Sequence, residues 1–268
     1  MKEIELYIPD QLKNYKEDIL KSLKPTLKMT GKVGTTELWE SKIGGYPYLL
    51  IGEELPKNKQ GETLRLLAQI NFEDVPHINN MPTKGILQFF VDTTDDLVGM
   101  DFDNPTSQEG FRVIYRQDVI KDKSKLVTEF NYDIGEHDEE FISPLEAKLV
   151  FEEGLQPVTT SDYRFGSEFL VGFEGEKEVQ DGDQTIELWD LYIDHMDHIG
   201  HRIGGYPFFT QYDPREEGTK YDTLLLQIDT DDDLGIMWGD SGVANFFISR
   251  DDLARLDFSD VLYTWDCC

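Results

Sequence analysis

His195, His198 and His201 fall at three-residue intervals with Asp194 and Asp197 interleaved, a mixture of imidazole and carboxylate that suits zinc. On a helix this spacing brings two of the three histidines together; the third lies further round, Gly200 interrupts, and no cysteine stands near. A second acidic set, Asp229, Asp231, Asp233 and Asp240, occupies positions 1, 3, 5 and 12 of a calcium loop of the EF-hand kind. Leu234 stands where that loop needs a glycine, Asp240 where it needs a glutamate, and strand-like sequence flanks the run where helices belong. His195, His198, His201, Asp229 and Asp231 stay candidate metal ligands, and neither a metal nor a cofactor is assigned.

Gly239-Asp-Ser-Gly242 is the fragment that surrounds the nucleophile of trypsin-like serine proteases, where a histidine base oriented by a carboxylate activates the serine. Val243 and Ala244 follow it here instead of the rest of that segment, and no His-Cys pair precedes it, so a turn launching the Phe246-Phe247 strand is expected. Four amides sit inside apolar runs: Gln69, Gln88, Gln227 and Asn245. A buried amide has two donor hydrogens and an acceptor to satisfy, so these four either tie neighbouring strands together, the expected case, or meet a partner's backbone at a groove. Acids are too numerous for spacing to single out a catalytic pair, no phosphate-cradling glycine loop occurs, and no catalytic residue is assigned.

The elements that position these groups are organised by a repeated pentapeptide. Ile43-Gly-Gly-Tyr-Pro47 recurs as Ile203-Gly-Gly-Tyr-Pro207; Leu66 to Ile70 answers to Leu224 to Ile228, and Gly85 to Phe90 to Gly242 to Phe247, at offsets of 160, 158 and 157 residues. Collinear offsets predict an internal duplication, and the expected fold is α+β, β-rich, with two pseudo-symmetric repeats at about 31–120 and 186–268 in a single domain over 1–268. Each glycine pair permits positive backbone dihedrals and each proline lacks an amide donor, so both stretches read as rigid corners. Leu64 to Ile70 and Ile86 to Val91 read as strands covered on both faces. Leu12, Tyr15, Ile19, Leu20 and Leu23 recur at helical spacing until Pro25, which predicts an N-terminal helix. Between the repeats, 101–140 reads as an acidic excursion with a charge run at Glu136 to Glu140, and 172–183 as an exposed turn or linker. Ten extra residues between Trp189 and Gly204 are expected to form a loop. Ser249 is expected to cap a short helix, and Val261 to Asp266 to form a final strand.

Composition narrows the function classes. Fifty-four acidic against twenty-five basic side chains give a formal charge of −29 over 268 residues, which repels nucleic acid and anionic lipid and favours basic partners. The two cysteines are the last two residues, so no disulfide framework is expected; the N-terminus lacks a signal sequence and no apolar run reaches the length of a membrane span. A cytoplasmic protein is expected, with a basic protein client or a second copy of itself as partner, and neither nucleic acid nor membrane.

Ser41-Lys-Ile-Gly-Gly-Tyr-Pro47, His201 to Arg215, Leu224 to Ile228 and Met237-Trp-Gly-Asp-Ser-Gly242 resemble the bacterial YwqG-like family, a domain of unknown function. That resemblance implies a duplicated, β-rich cytosolic protein and carries over no catalytic residues. More distantly, the corner Ser-Lys-x-Gly-Gly-x-Pro followed by a Leu-Gln strand and an aromatic strand is similar to the programmed cell death protein 2 family, which implies chaperoning of a basic ribosomal client. The functional expectation is therefore a noncatalytic, chaperone-like or adaptor module that binds a basic polypeptide. Its expected contacts are Lys42, Gly44, Gly45, Tyr46 and Pro47, their counterparts Arg202, Gly204, Gly205, Tyr206 and Pro207, and Trp238, with aromatic surface exposed near Tyr46, Tyr206 and Trp238. The alternative is a hydrolase or other small-molecule enzyme, with or without a metal, working between the repeats through Asp229, Asp231, Asp240 and the histidines.

Overall fold

A computed structural model describes residues 6–131, 142, 145–196 and 199–268. A 3-10 turn over Asp10–Tyr15 runs into α1 (Lys16–Ser22), and the chain then enters the strands β1 (Lys24–Val33), β2 (Lys42–Ile43), β3 (Arg65–Asn71), β4 (Ile86–Val91), β5 (Phe111–Arg116) and β6 (Ala147–Gln156). A small hairpin, β7 (Glu178–Asp181) and β8 (Gln184–Glu187), precedes α2 (Leu188–Met196). The chain ends with β9 (His201–Gly204), β10 (Thr223–Asp229), β11 (Val243–Ile248), α3 (Arg250–Ala254) and β12 (Val261–Asp266). Ten of the strands form one sheet in the order β12-β11-β10-β9-β1-β6-β2-β3-β4-β5, every neighbouring pair antiparallel.

Adjacent aromatic residues explain why this sheet is covered on both faces. Side chains alternate along a strand, so Phe89 and Phe246 join the main core while their neighbours Phe90 and Phe247 enter separate clusters on the other side. The sheet rolls until its far strands meet: Phe89 lies 5.0 Å from Phe246 edge to face, and Phe111 of β5 lies 5.0 Å from Tyr263 of β12. A nearly closed, barrel-like sheet results. Residues 97–105 line its seam, where Pro105 O accepts from Tyr263 N at 2.9 Å, Val98 O from the Tyr263 hydroxyl at 2.9 Å and Leu97 O from Trp265 Nε1 at 2.7 Å.

This architecture corrects the expectation of an α+β fold built from two pseudo-symmetric repeats; no clear internal duplication is shown. The two central strands pair along their whole length, from Lys24 opposite Gln156 to Val33 opposite Ala147, yet β1 starts ahead of the predicted first repeat and β6 lies between the two. β2 bonds to β6 and β9 to β1, so neither predicted repeat carries a sheet of its own. The N-terminal helix shrinks to the seven residues of α1 behind a 3-10 turn. Within the presumed insertion loop stands α2 instead, because Leu188, Leu191, Tyr192 and Met196 recur on one helical face and are buried. The presumed linker holds the β7–β8 hairpin, turned at Gly182 with φ 57°. The charge run Glu136 to Glu140 lies outside the described residues. No helix among the described residues is long and apolar enough to cross a membrane.

Candidate functional site

The two glycine corners are fixed from within. Gly44 and Gly45 take φ of 62° and 73°, Gly204 and Gly205 69° and 71°, the left-handed region that glycine enters without penalty. A Cβ on Gly205 would lie 2.1 Å from Gln156 Oε1, so the corner also needs the empty space. Behind each corner the predicted amides form a bracket. Gln69 Oε1 accepts from Tyr48 N at 2.8 Å while its Nε2 donates to Leu38 O and Glu40 O; Gln88 Nε2 donates to Tyr48 O at 2.9 Å and to Gln69 Oε1. Gln227 Oε1 accepts from Phe208 N at 2.8 Å and Gln227 Nε2 donates to Gly200 O, while Asn245 Nδ2 donates to Phe208 O at 2.8 Å. The amides thus pin the chain after each corner to the sheet.

The other corner residues are buried too. Lys42 is fully enclosed, its Nζ 3.1 Å from Tyr46 O and 3.7 Å from Glu146 Oε1, and burial pushes its amino group down to about 8 despite that carboxylate. Arg202 is buried and donates from Nη2 to Ile199 O at 2.6 Å; Pro47 and Pro207 are buried as well. Tyr46 is half-buried and stacks on Phe130 at 4.7 Å. Tyr206 and Trp238 are each 0 % exposed, which corrects the expectation of an aromatic surface there. The Tyr206 hydroxyl donates inward to Ser22 O, and Trp238 packs 5.9 Å from Trp265 as part of the core.

Three of the candidate metal ligands, His201, Asp229 and Asp231, hold backbone groups. His201 is buried at the start of β9; its Nδ1 accepts from Asp229 N at 3.0 Å, which leaves the proton on Nε2, facing Asp231 Oδ2 at 3.2 Å. Burial lowers the imidazole below its ordinary value, against the pull of Asp231. Asp231 also accepts from Leu234 N at 3.1 Å to cap a 3-10 turn over Asp232–Leu234, and Asp229 accepts from Gly200 N at 2.6 Å and Thr230 N at 2.9 Å. His195 lies on α2, 5.8 Å from the Tyr7 ring, and His198 lies outside the described residues. Asp233 and Asp240 are exposed. Among the described residues no group of three histidine, cysteine or acidic side chains could hold a metal ion. Gly239 to Gly242 is the turn into β11, closed by Gly242 N donating to Trp238 O at 2.7 Å.

Two clefts escaped the sequence reading. One, of about 530 Å³, has aromatic walls from Tyr163, Phe165, Phe173, Trp189 and Tyr212. Its floor is an ion network: Arg164 grips Asp162 through Nε and Nη2, both at 2.7 Å, and Arg215 reaches Asp162 at 3.0 Å and Asp213 at 2.7 Å. Burial alone would raise the Asp162 carboxyl, but the hydrogen bonds and charges of Arg164 and Arg215 outweigh it and hold that group below the ordinary range. Two Asp-x-Arg triplets, Asp162-Tyr-Arg164 and Asp213-Pro-Arg215, were the available signal, hidden among so many acids.

The second cleft, of about 320 Å³, is acidic. Asp92, Asp95, Asp101, Asp103 and Glu109 line it, with Lys59, itself paired to Glu109, at the rim. Asp92 is buried and accepts from Asn58 Nδ2 at 2.6 Å, which ties the two walls together. Asp101 Oδ1 accepts from Asp103 N and Asn104 N, each at 3.0 Å, and so shapes the loop that presents Phe102, 76 % exposed, beside the cleft.

No curated protein matches the chain. Residues 41–267 match the family described as Domain of unknown function (DUF1963), a span that takes in both glycine corners, the four bracketing amides and both clefts, and the chain belongs to that family.

Proposed function

We propose that the chain is a noncatalytic protein-binding module, chaperone-like or adaptor in character, that engages a basic polypeptide at the acidic cleft formed by residues 58–60 and 92–110. The observation that carries this reading is the conjunction of that cleft's carboxylates with Phe102. A lysine- or arginine-rich segment finds opposite charge in the cleft and an aromatic face for its aliphatic stems or cation beside it. The formal charge of −29 steers such a segment inward from a distance. A hydrolase built on Asp229, Asp231, Asp240 and the histidines would first have to break the backbone hydrogen bonds that His201, Asp229 and Asp231 already hold.

Fluorescence anisotropy with a labelled arginine- and lysine-rich peptide tests the proposal. Binding is expected at low ionic strength, weakening steadily as salt screens the pairing. The triple change Asp95→Asn, Asp101→Asn, Asp103→Asn keeps an acceptor oxygen for each turn while removing three charges, and is expected to weaken binding about tenfold or more. Phe102→Ala is expected to cost about 1 kcal/mol of binding. Equal affinity of wild type and triple variant would remove the cleft from the proposal, and no binding at low salt would end it.

A further inference from the structure

Around Tyr206 the fold gathers three donors that find no acceptor among the described residues. The ammonium of Lys24, half-buried at the first position of β1, lies 4.3 Å from the centroid of the Tyr206 ring, and no carboxylate among the described residues approaches it within 4 Å. The Arg164 guanidinium lies 5.2 Å from the same ring. Its Nε and Nη2 are committed to Asp162, and its Nη1 has no partner among the described residues. Gln156 stands directly across the ladder from Lys24, so the two side chains leave the same face of the sheet. Its Oε1 accepts from Tyr206 N at 2.9 Å, but its Nε2, in a residue only 3 % exposed, has no hydrogen-bond partner among the described residues. A buried amide donor left without an acceptor is destabilising and calls for an explanation.

Lys24, Arg164 and Arg215 bring three cations to this corner, where Asp162 and Asp213 pair with the two arginines; Asp222 adds a negative charge in reach of Lys24, and Glu168 one in reach of Tyr206. Burial first, and then the neighbouring Arg164, push the Lys24 amino group down to about 8. The Tyr206 hydroxyl takes no part, because it donates to Ser22 O.

We propose that Lys24, Arg164 and Gln156 form a binding site for a small oxyanion, phosphate or carboxylate in class. Its oxygens would accept from Lys24 Nζ, Arg164 Nη1 and Gln156 Nε2 together. This site is separate from the acidic cleft and does not depend on the protein-binding proposal.

Calorimetric titration of the protein with inorganic phosphate, and separately with acetate, at constant ionic strength in chloride tests it. Saturable binding of at least one anion is expected; binding of phosphate alone assigns the phosphate class, and binding of both assigns oxyanions generally. Lys24→Met keeps the aliphatic stem and is expected to weaken binding about tenfold or more, the loss of one charge-assisted hydrogen bond, whereas Lys24→Arg is expected to stay within about threefold of wild type. A readout on the wild type alone guards against misfolding of the variants: the bound anion must protect Lys24 from amine acylation near pH 8, located by peptide mass. Absence of saturable binding, undiminished binding by Lys24→Met, or unprotected Lys24 would each overturn the site.

Discussion

Lys42 and Lys24 carry amino groups into places where charge is expensive, and the consequence is a stability that changes with alkaline pH. Burial brings both down to about 8, against 10.5 for a free lysine. Between those values the unfolded chain holds more protons than the folded one, so unfolding free energy rises with pH across that window. Tyr192, Tyr206 and Tyr263 act in the opposite sense, since burial keeps them protonated while unfolded tyrosines ionise near 10. His201, lowered by burial below 6.5, adds stability that is lost as pH falls beneath that value. The urea midpoint is therefore expected to fall below about pH 6.5, to rise from about pH 8 and to turn down beyond about pH 10; Lys42→Met should flatten the rise. A midpoint that drops steadily from pH 8 upward would show that the two lysines ionise normally. At this scale the amides were legible, because a lone glutamine in an apolar run has to be satisfied. The donors of Lys24, Arg164 and Gln156 that find no acceptor among the described residues were not, because spacing does not encode which hydrogens are left over.

The glycine corners are held by single amides, and this makes them fragile at one point each. Gln69→Leu would strip acceptors and donors from Tyr48 N, Leu38 O and Glu40 O at once, and is expected to cost about 1–3 kcal/mol, seen as a lower urea midpoint with an unchanged slope. An unchanged midpoint would mean that the bracket is replaceable. Strands β3, β4, β10 and β11 could be read directly, since an unbroken apolar run of five or six residues has to be covered on both faces. β1 escapes the sequence and β6 is legible only over Lys148 to Phe151, each for a physical reason. β1 contains Pro25 and Gly31, which argue against a central strand, yet Gly31 leaves room for Leu234, whose side chain would have to shift to admit a Cβ at 2.5 Å. β6 interrupts its pattern with Glu152, Glu153 and Gly154, all on a stretch with exposed positions. With β1 unread and β6 read only in part, the pentapeptide points to two pseudo-symmetric repeats within one body, and one continuous sheet takes their place.

For the molecule as a whole, closure rests on aromatic contacts between residues far apart in sequence. Phe246 stacks on Tyr263 at 4.5 Å and meets Phe89 and Phe111 edge to face, so one ring holds both ends of the sheet to each other. Phe246→Ala is expected to cost about 3–5 kcal/mol, with β5 and β12 amides exchanging first in hydrogen-exchange measurements; Phe247→Ala, in the small outer cluster, should leave that order unchanged. No periodicity announces which rings meet across such distances, and the acidic composition, the most visible property of the sequence, bears on partners rather than on fold. The stretch 97–105 joins the two concerns, because it both walls the acidic cleft and covers β12. The Tyr263 amide is occupied by Pro105 O and that of Trp265 faces the Met100 sulfur at 3.5 Å. A second molecule arriving at this border finds no row of open amides to copy, so fibre growth by strand addition here has first to peel that stretch away.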